Sequence, residues 1–254
     1  KGFYTAALPE PNLMQWLDLV ALGTVCDVVT LLGINRSFVT QGLKIMSSRQ
    51  NLGLRTLADA ANISEKPDAY HLGFVLGPRI NAGGRVGKAS IGSRLLCSVN
   101  PVEAKQLADE LNGFNQERKD IEGFVLEQSI EMLEGTPQSW PMAFVYNKGW
   151  HQGVIGIVAG KLKERYNLPA FVMSIEDDEV KGSARSIPGV DLGALIIAAK
   201  EKGVLTKGGG HTMAAGFSLT EAQIPAFRTF AGEYIARSLN NTRPHPVINI
   251  DLSL

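Results

Sequence analysis

Residues 153–175 read GVIGIVAGKLKERYNLPAFVMSI, and the pairing of a helix (GVIGIVAGKLKERYN) with a strand (PAFVMSI) sets the fold class. The flanks continue the alternation. PMAFVYN (141–147) reads as a strand, EDDE (176–179) as a turn, and VKGSARS (180–186) as a strand end. DLGALIIAAKEKG (191–203) reads as a helix, HTMAAGFSL (211–219) as a strand and TEAQIPAFRTFAGEYIARSLN (220–240) as a helix. Strands alternating with helices of this length predict an α/β domain with a largely helix-covered sheet.

Upstream lies a long helix. Asn100 is its N-cap, Pro101 its first residue and Glu103 occupies the capping-box position. Leu107, Leu111, Phe114, Ile121, Val125 and Met132 recur at near-heptad spacing until Gly135. At 1.5 Å per residue it is a rod of about 50 Å, long enough to bridge two domains. Earlier still, LDLVALGTVCDVVTLL (17–32) is apolar and β-branched around two aspartates, and predicts a buried strand leading to a helix near NRSFVTQGLKIM (35–46). GPRINAGGRVGKASIG (77–92) reads as a Gly-rich basic loop among short helices. At the far end VINIDLSL (247–254) alternates like a strand with no hairpin partner after it, and the chain opens on Lys1 without methionine. Both ends read as those of an internal fragment.

The 254 residues are 44% hydrophobic and 20% charged, as in an ordinary globular protein. Lys+Arg and Asp+Glu number 25 each, so any anion site is local rather than a general field. Two cysteines, Cys26 and Cys97, exclude a disulfide framework and fit a reducing cytosol. No apolar run reaches the roughly 18 residues of a membrane span.

Four stretches combine glycine with polar groups. Asp27 sits in an apolar run, where a carboxylate needs a metal, a salt bridge or a capping role; a cap suits Asp18 better. Arg79, Asn81 and Arg85 stand among glycines, which suits phosphate through guanidinium forks and backbone N–H groups, or else marks a solvated basic loop. Ser183, Arg185 and Ser186 offer donors at a strand end. In KGGGHTMAAGF (207–217), Gly208, Gly209 and Gly210 precede His211, and such glycines serve positive φ or close approach. His151 stands just before a helix N-terminus, where anions are favoured. His71 and His245 have no such context.

Together these segments resemble the RecJ single-strand-specific exonucleases of the DHH phosphoesterase superfamily. LDLVALGTVCDVVTL, GPRINAGGRVGKAS, WHQGVIGIVAGKLKERYNLPAFV, KGSARSIPGVDLGALI and GGGHTMAAGFSL occur in the family's order and cover about residues 13 to 220. Cys26 stands where the family usually has alanine, and Gly83-Gly84 replaces the commoner Ala-Gly.

The resemblance implies an α/β fold in which the C-terminal part of a DHH domain (1–99) is joined by a long helix (100–135) to a DHH-associated α/β domain (136–240). An OB-fold strand begins in 241–254. It implies 5′-to-3′ hydrolysis of single-stranded DNA with Mn²⁺ or Mg²⁺ in DNA repair and recombination. Asp27 matches the last metal-binding aspartate and a catalytic role, His211 a catalytic and substrate-binding one. Ser183 and Arg185 match the 5′-phosphate pocket; Arg79, Asn81, Arg85, His151, Ser186, Gly208, Gly209 and Gly210 are further substrate-binding candidates. The implied setting is a cytoplasmic monomer that binds single-stranded DNA, works with repair proteins such as a helicase or a single-strand-binding protein, and touches no membrane. The family's Asp-His-His triplet is nowhere in the sequence, so the intact protein is expected to be the enzyme and this piece inactive alone. Two alternatives stay open: a DHH phosphodiesterase of oligonucleotides or cyclic dinucleotides, and a non-catalytic nucleic-acid-binding module.

Overall fold

The computed structural model describes residues 4–5, 9–135 and 141–244. The chain divides into two compact units, residues 1–118 and 119–254. The VINIDLSL segment and His245 lie outside the described residues.

The first unit is helical: α1 (Leu17–Cys26), α2 (Gly33–Ser47), α3 (Leu52–Ala60), α4 (Gly77–Val86) and α5 (Ser90–Cys97). A wide π-helical turn, His71–Leu76, runs directly into α4. Here the strand expected over 17–32 is corrected to a helix. Leu17, Ala21 and Leu22 are buried on α1, and Gly42 of α2 brings the two helices to backbone contact. A methyl group at Gly42 would lie 2.5 Å from Ala21 Cβ and on the Leu17 carbonyl. An apolar run of that length satisfies strand and buried-helix readings alike until its packing partner is known.

The expected loop over 77–92 is also helical for the most part. Its glycines, Gly84 excepted, serve packing. Gly83 is buried, and a side chain there would meet Lys88 O at 2.8 Å and Leu111 Cδ2 at 3.3 Å. The backbone N–H groups read as phosphate donors are largely spent inside the helix.

Helix α6 (Pro101–Glu134) forms as its caps and periodicity predict. The Asn100 side chain accepts from the Val102 N–H at 2.9 Å. Glu103 does not close a capping box on Asn100; its carboxylate instead takes donors from Arg94 and Ser98. Ala104, Leu107, Ala108 and Leu111 pack into the first unit's core, and Val125 and Leu133 into a core of the second.

The second unit carries a five-stranded sheet in the order β1-β2-β3-β5-β4. Its strands are β1 (Ala143–Lys148), β2 (Ala170–Glu176), β3 (Glu179–Arg185), β4 (Lys207–His211) and β5 (Ala214–Thr220). β1 and β2 are parallel; every other pair is antiparallel. VKGSARS is thus a central strand rather than a strand end. HTMAAGFSL is not one strand: KGGGH forms β4, and a turn at Thr212–Met213 leads into β5.

Period-2 alternation divides the sheet's residues between two faces. Phe171, Met173, Val180, Ala184, Ala215, Phe217 and Leu219 face α8 (Leu192–Glu201) and α9 (Ile224–Ser238) in one buried core. Ala143, Val145, Ala170 and Val172 face α7 (Gln152–Tyr166).

Candidate functional site

The face that α7 covers over β2 and β3 continues across β5 and β4, where no helix among the described residues packs on it. Register makes this explicit. Ser183 pairs with Gly216, which pairs with Gly209; Arg185 pairs with Ala214, which pairs with His211. All six therefore project to one side. Gly209, Gly216 and His211 are exposed, while Ser183, Arg185 and Ala214 are half-buried. Strands lie about 4.8 Å apart, so Arg185 and His211 stand roughly 10 Å from each other across the small Ala214.

The floor is bare backbone. A side chain at Gly209 would meet nothing within 4 Å, and at Gly216 only the Gly182 carbonyl at 4.0 Å. Glycine within a strand costs roughly 0.5–1 kcal/mol relative to alanine, and the chain's own packing asks for neither of these two. Such positions mark where a ligand or another backbone comes close.

Gly208 and Gly210 are corrected: they point to the opposite face. Side chains there would run into Ile196 Cγ2 at 2.5 Å and Ala215 Cα at 2.6 Å. Only the middle glycine of the three serves the open face.

The donors are held by local structure. Arg185 Nη1 donates to Ser183 Oγ at 3.1 Å and to the Ala184 carbonyl at 2.9 Å, which keeps the guanidinium along the strand. Above them Gly156 of α7 leaves room. Its Cβ position lies 3.0 Å from Ser183 Oγ and 3.1 Å from Arg185 Nη2. Ser186 is corrected too. It is 1% exposed and donates to the Ile187 and Val190 carbonyls, bracing the turn into α8. That loop is further tied to the β4–β5 turn by Ser186 N–H to Met213 O and Leu192 N–H to Thr212 O. His151 caps α7, its Nδ1 accepting the Gly153 N–H at 3.0 Å, so the ring proton sits on Nε2 in the neutral form. Lys207 and Lys181 flank the face on β4 and β3, by register with Ser218. These lysines, Gly156 and Gly216 were not legible as site residues, because only strand register and the packing of α7 on the sheet bring them together.

In the first unit, Asp27 is not buried in a strand. It is exposed at the C-cap of α1, followed by Val28 at φ 55°. A β-branched residue in the left-handed region is an outlier costing about 1–3 kcal/mol, of the kind that clusters at functional sites. Among the described residues no three His, Cys, Asp or Glu side chains gather as a metal centre. Asp27 is thus a single candidate ligand rather than part of a metal centre within the described residues. Arg79 is half-buried and committed inward, donating to Asn112 Oδ1 at 2.9 Å and Val75 O at 2.8 Å, and desolvation holds its guanidinium below the usual range. Asn81 and Arg85 lie exposed on α4. His71 is structural: 8% exposed, its ring nitrogens lie 2.7 Å from Asp68 and 3.0 Å from Glu65.

Residues 140–237 match the DHHA1 domain family. The single-stranded-DNA-specific exonuclease RecJ of Dickeya dadantii is 38% identical over 255 residues, covering 97% of this chain and 44% of that protein. RecJ of Escherichia coli K12 is 41% identical over 239 residues, covering 91% of this chain and 41% of that protein. The crystal structure of Thermus thermophilus RecJ in complex with Mn²⁺ superposes with a TM-score of 0.80 at 33% identity, over 91% of this chain and 34% of that one. Its Mg²⁺ complex matches equally well, and a further exonuclease RecJ bound to manganese gives 0.77 at 32% identity, over 93% of this chain and 59% of that one. The chain spans less than half the length of these two curated relatives.

Proposed function

We propose that the chain, similar to RecJ proteins along most of its length and to the DHHA1 domain over residues 140–237, is part of a metal-dependent 5′-to-3′ exonuclease of single-stranded DNA. Within it, the bare face over β5 and β4 receives the 5′ end. One observation carries this reading: register sets Ser183, Arg185 and His211 around the paired glycines Gly209 and Gly216, which none of the described residues covers. A guanidinium fork matches phosphate oxygens in a plane, and the Ser183 hydroxyl beside it adds a further donor. The glycine floor admits the nucleotide to backbone distance, and the His211 imidazole borders it. Mn²⁺ and Mg²⁺, held by the solved relatives, supply charge stabilisation in such hydrolysis, with Asp27 offering one carboxylate. The place of this reaction is DNA repair and recombination.

The test is binding of 5′-phosphorylated and 5′-hydroxyl oligodeoxynucleotides to the 254-residue chain, read by fluorescence anisotropy. A charge-assisted contact contributes about 1.5–3 kcal/mol, so Arg185→Ala should weaken the phosphorylated strand about tenfold or more and the hydroxyl strand little. Equal losses would reduce Arg185 to a contact along the strand. No loss on either would take the 5′ end off this face.

A further inference from the structure

The open face of the sheet carries a second cationic row. Register pairs Lys181 of β3 with Ser218 of β5, and Ser218 with Lys207 of β4. Each lies four residues along its strand from Arg185, Ala214 or His211, so all six project to the same side. At about 3.3 Å per residue the two rows stand roughly 13 Å apart. Between them runs the row of Ser183, Gly216 and Gly209, whose two glycines form the bare floor.

Lys207 is exposed and forms no ion pair among the described residues. The Lys181 side chain is 43% exposed, and its ammonium has Glu179 at 3.6 Å, a long contact that water weakens. The two lysine backbones lie roughly 10 Å apart, and their flexible stems can bring both ammonium groups over Ser218. Past this row the charge changes sign: Asp177, Asp178 and Glu179 are all exposed at the turn between β2 and β3. The cationic surface therefore ends at the lysines. Two anion-binding rows, a stretch without side chains between them and a carboxylate boundary call for one kind of ligand. It is a chain whose negative charges recur along its length, laid parallel to the strands. A mononucleotide reaches the first row only.

We propose, on the reading that this face receives the 5′ end, that Lys181 and Lys207 hold a phosphodiester further along the same single strand. The DNA lies along β5 with its 5′ phosphate at Ser183 and Arg185 and runs toward Ser218. At the 3.4 Å spacing of stacked bases a span of roughly 13 Å takes about four nucleotide steps, and fewer where the bases unstack. The phosphodiester next to the 5′ end passes over Gly216 and Gly209, where no side chain of this face holds it. The lysines position the strand; they set its direction across the sheet and leave the 5′ phosphate to the first row.

Isothermal titration of the 254-residue chain with TMP and with a 5′-phosphorylated thymidine pentanucleotide tests it. The double variant Lys181→Ala/Lys207→Ala should weaken the pentanucleotide about tenfold and leave TMP at its wild-type affinity. The slope of log K against log salt for the pentanucleotide should fall by about 0.7, one phosphate contact on a single strand. Lys200→Ala/Lys202→Ala removes the same charge from α8, on the other side of the sheet, and should change neither ligand. Should the alanine pair not fold, Lys181→Gln/Lys207→Gln carries the same test. Wild-type pentanucleotide affinity in the folded lysine variant, an equal loss of TMP, or an equal loss in the α8 variant would each overturn the assignment. Arg185→Ala separates the two readings. If it weakens both ligands while the lysine variant weakens neither, the second row falls and the 5′-end reading stands; if it weakens neither, the 5′-end reading falls and the second row with it.

Discussion

Two neighbouring glycines of β4 differ in everything but identity. Gly209 looks onto open space, and Gly210 onto the backbone of β5. Gly209→Val should therefore keep the fold, since a β-branched residue suits a strand, while its side chain fills the bare face and blocks DNA. Gly210→Val has no room and should lower stability by about 1–3 kcal/mol, as overpacking does. Thermal unfolding and anisotropy on the two variants separate the effects; DNA binding surviving in Gly209→Val would sink the site. Asp18 sets a second residue-scale expectation. Its carboxyl is raised from 3.8 because burial penalises the charged form, so between 3.8 and its raised value the native state holds a proton that the unfolded chain has lost. In that window stability should fall as pH rises. Denaturation midpoints measured across the acid range should show this slope, and Asp18→Asn should flatten it.

Among the elements, α7 decides where the site can be. It lies over β2 and β3, and at Gly156 it leaves out a side chain above Ser183 and Arg185. Gly156→Ala would gain up to about 1 kcal/mol of helix propensity. Its methyl group would press on the end of a flexible guanidinium rather than on backbone. The expected result is an unchanged or higher melting temperature together with a reduced preference for 5′-phosphorylated DNA. A preference that stays at the wild-type level would show that the Arg185 position under α7 does not matter. The α1–α2 pair makes the same kind of point: one glycine, Gly42, sets how close two helices lie.

Over the whole chain, two units each have cores of their own, and α6 contributes apolar residues to both. Cooperative unfolding follows the core rather than the chain. Chemical denaturation of the 254-residue protein should resolve two transitions. Gly42→Leu, which crowds Leu17 and Ala21, should move one of them, and Gly210→Val the other. A single transition shifted by both variants would mean that the units unfold as one.

Much of this was legible along the sequence. Caps and near-heptad spacing marked α6, and alternation marked the α/β half, because helix ends and side-chain periodicity are local properties of a few neighbouring residues. Ser183, Arg185 and His211 stood out because donors beside glycine suit an anion whatever the fold. What lay beyond reach was every feature that depends on a partner distant in the chain. LDLVALGTVC packs as a helix because Gly42 admits it against α2, and Gly77 and Gly83 of GPRINAGG are taken up by packing. Ser186 is spent on its own loop. The sequence by itself determined which residues can grip a phosphate; the tertiary structure alone decided which of them share an open surface. The physical reason is that a strand residue's face is defined only by register, and a face is open only where no helix lies over it. Here α7 stops short of β5 and β4, and that leaves Gly209 and Gly216 bare.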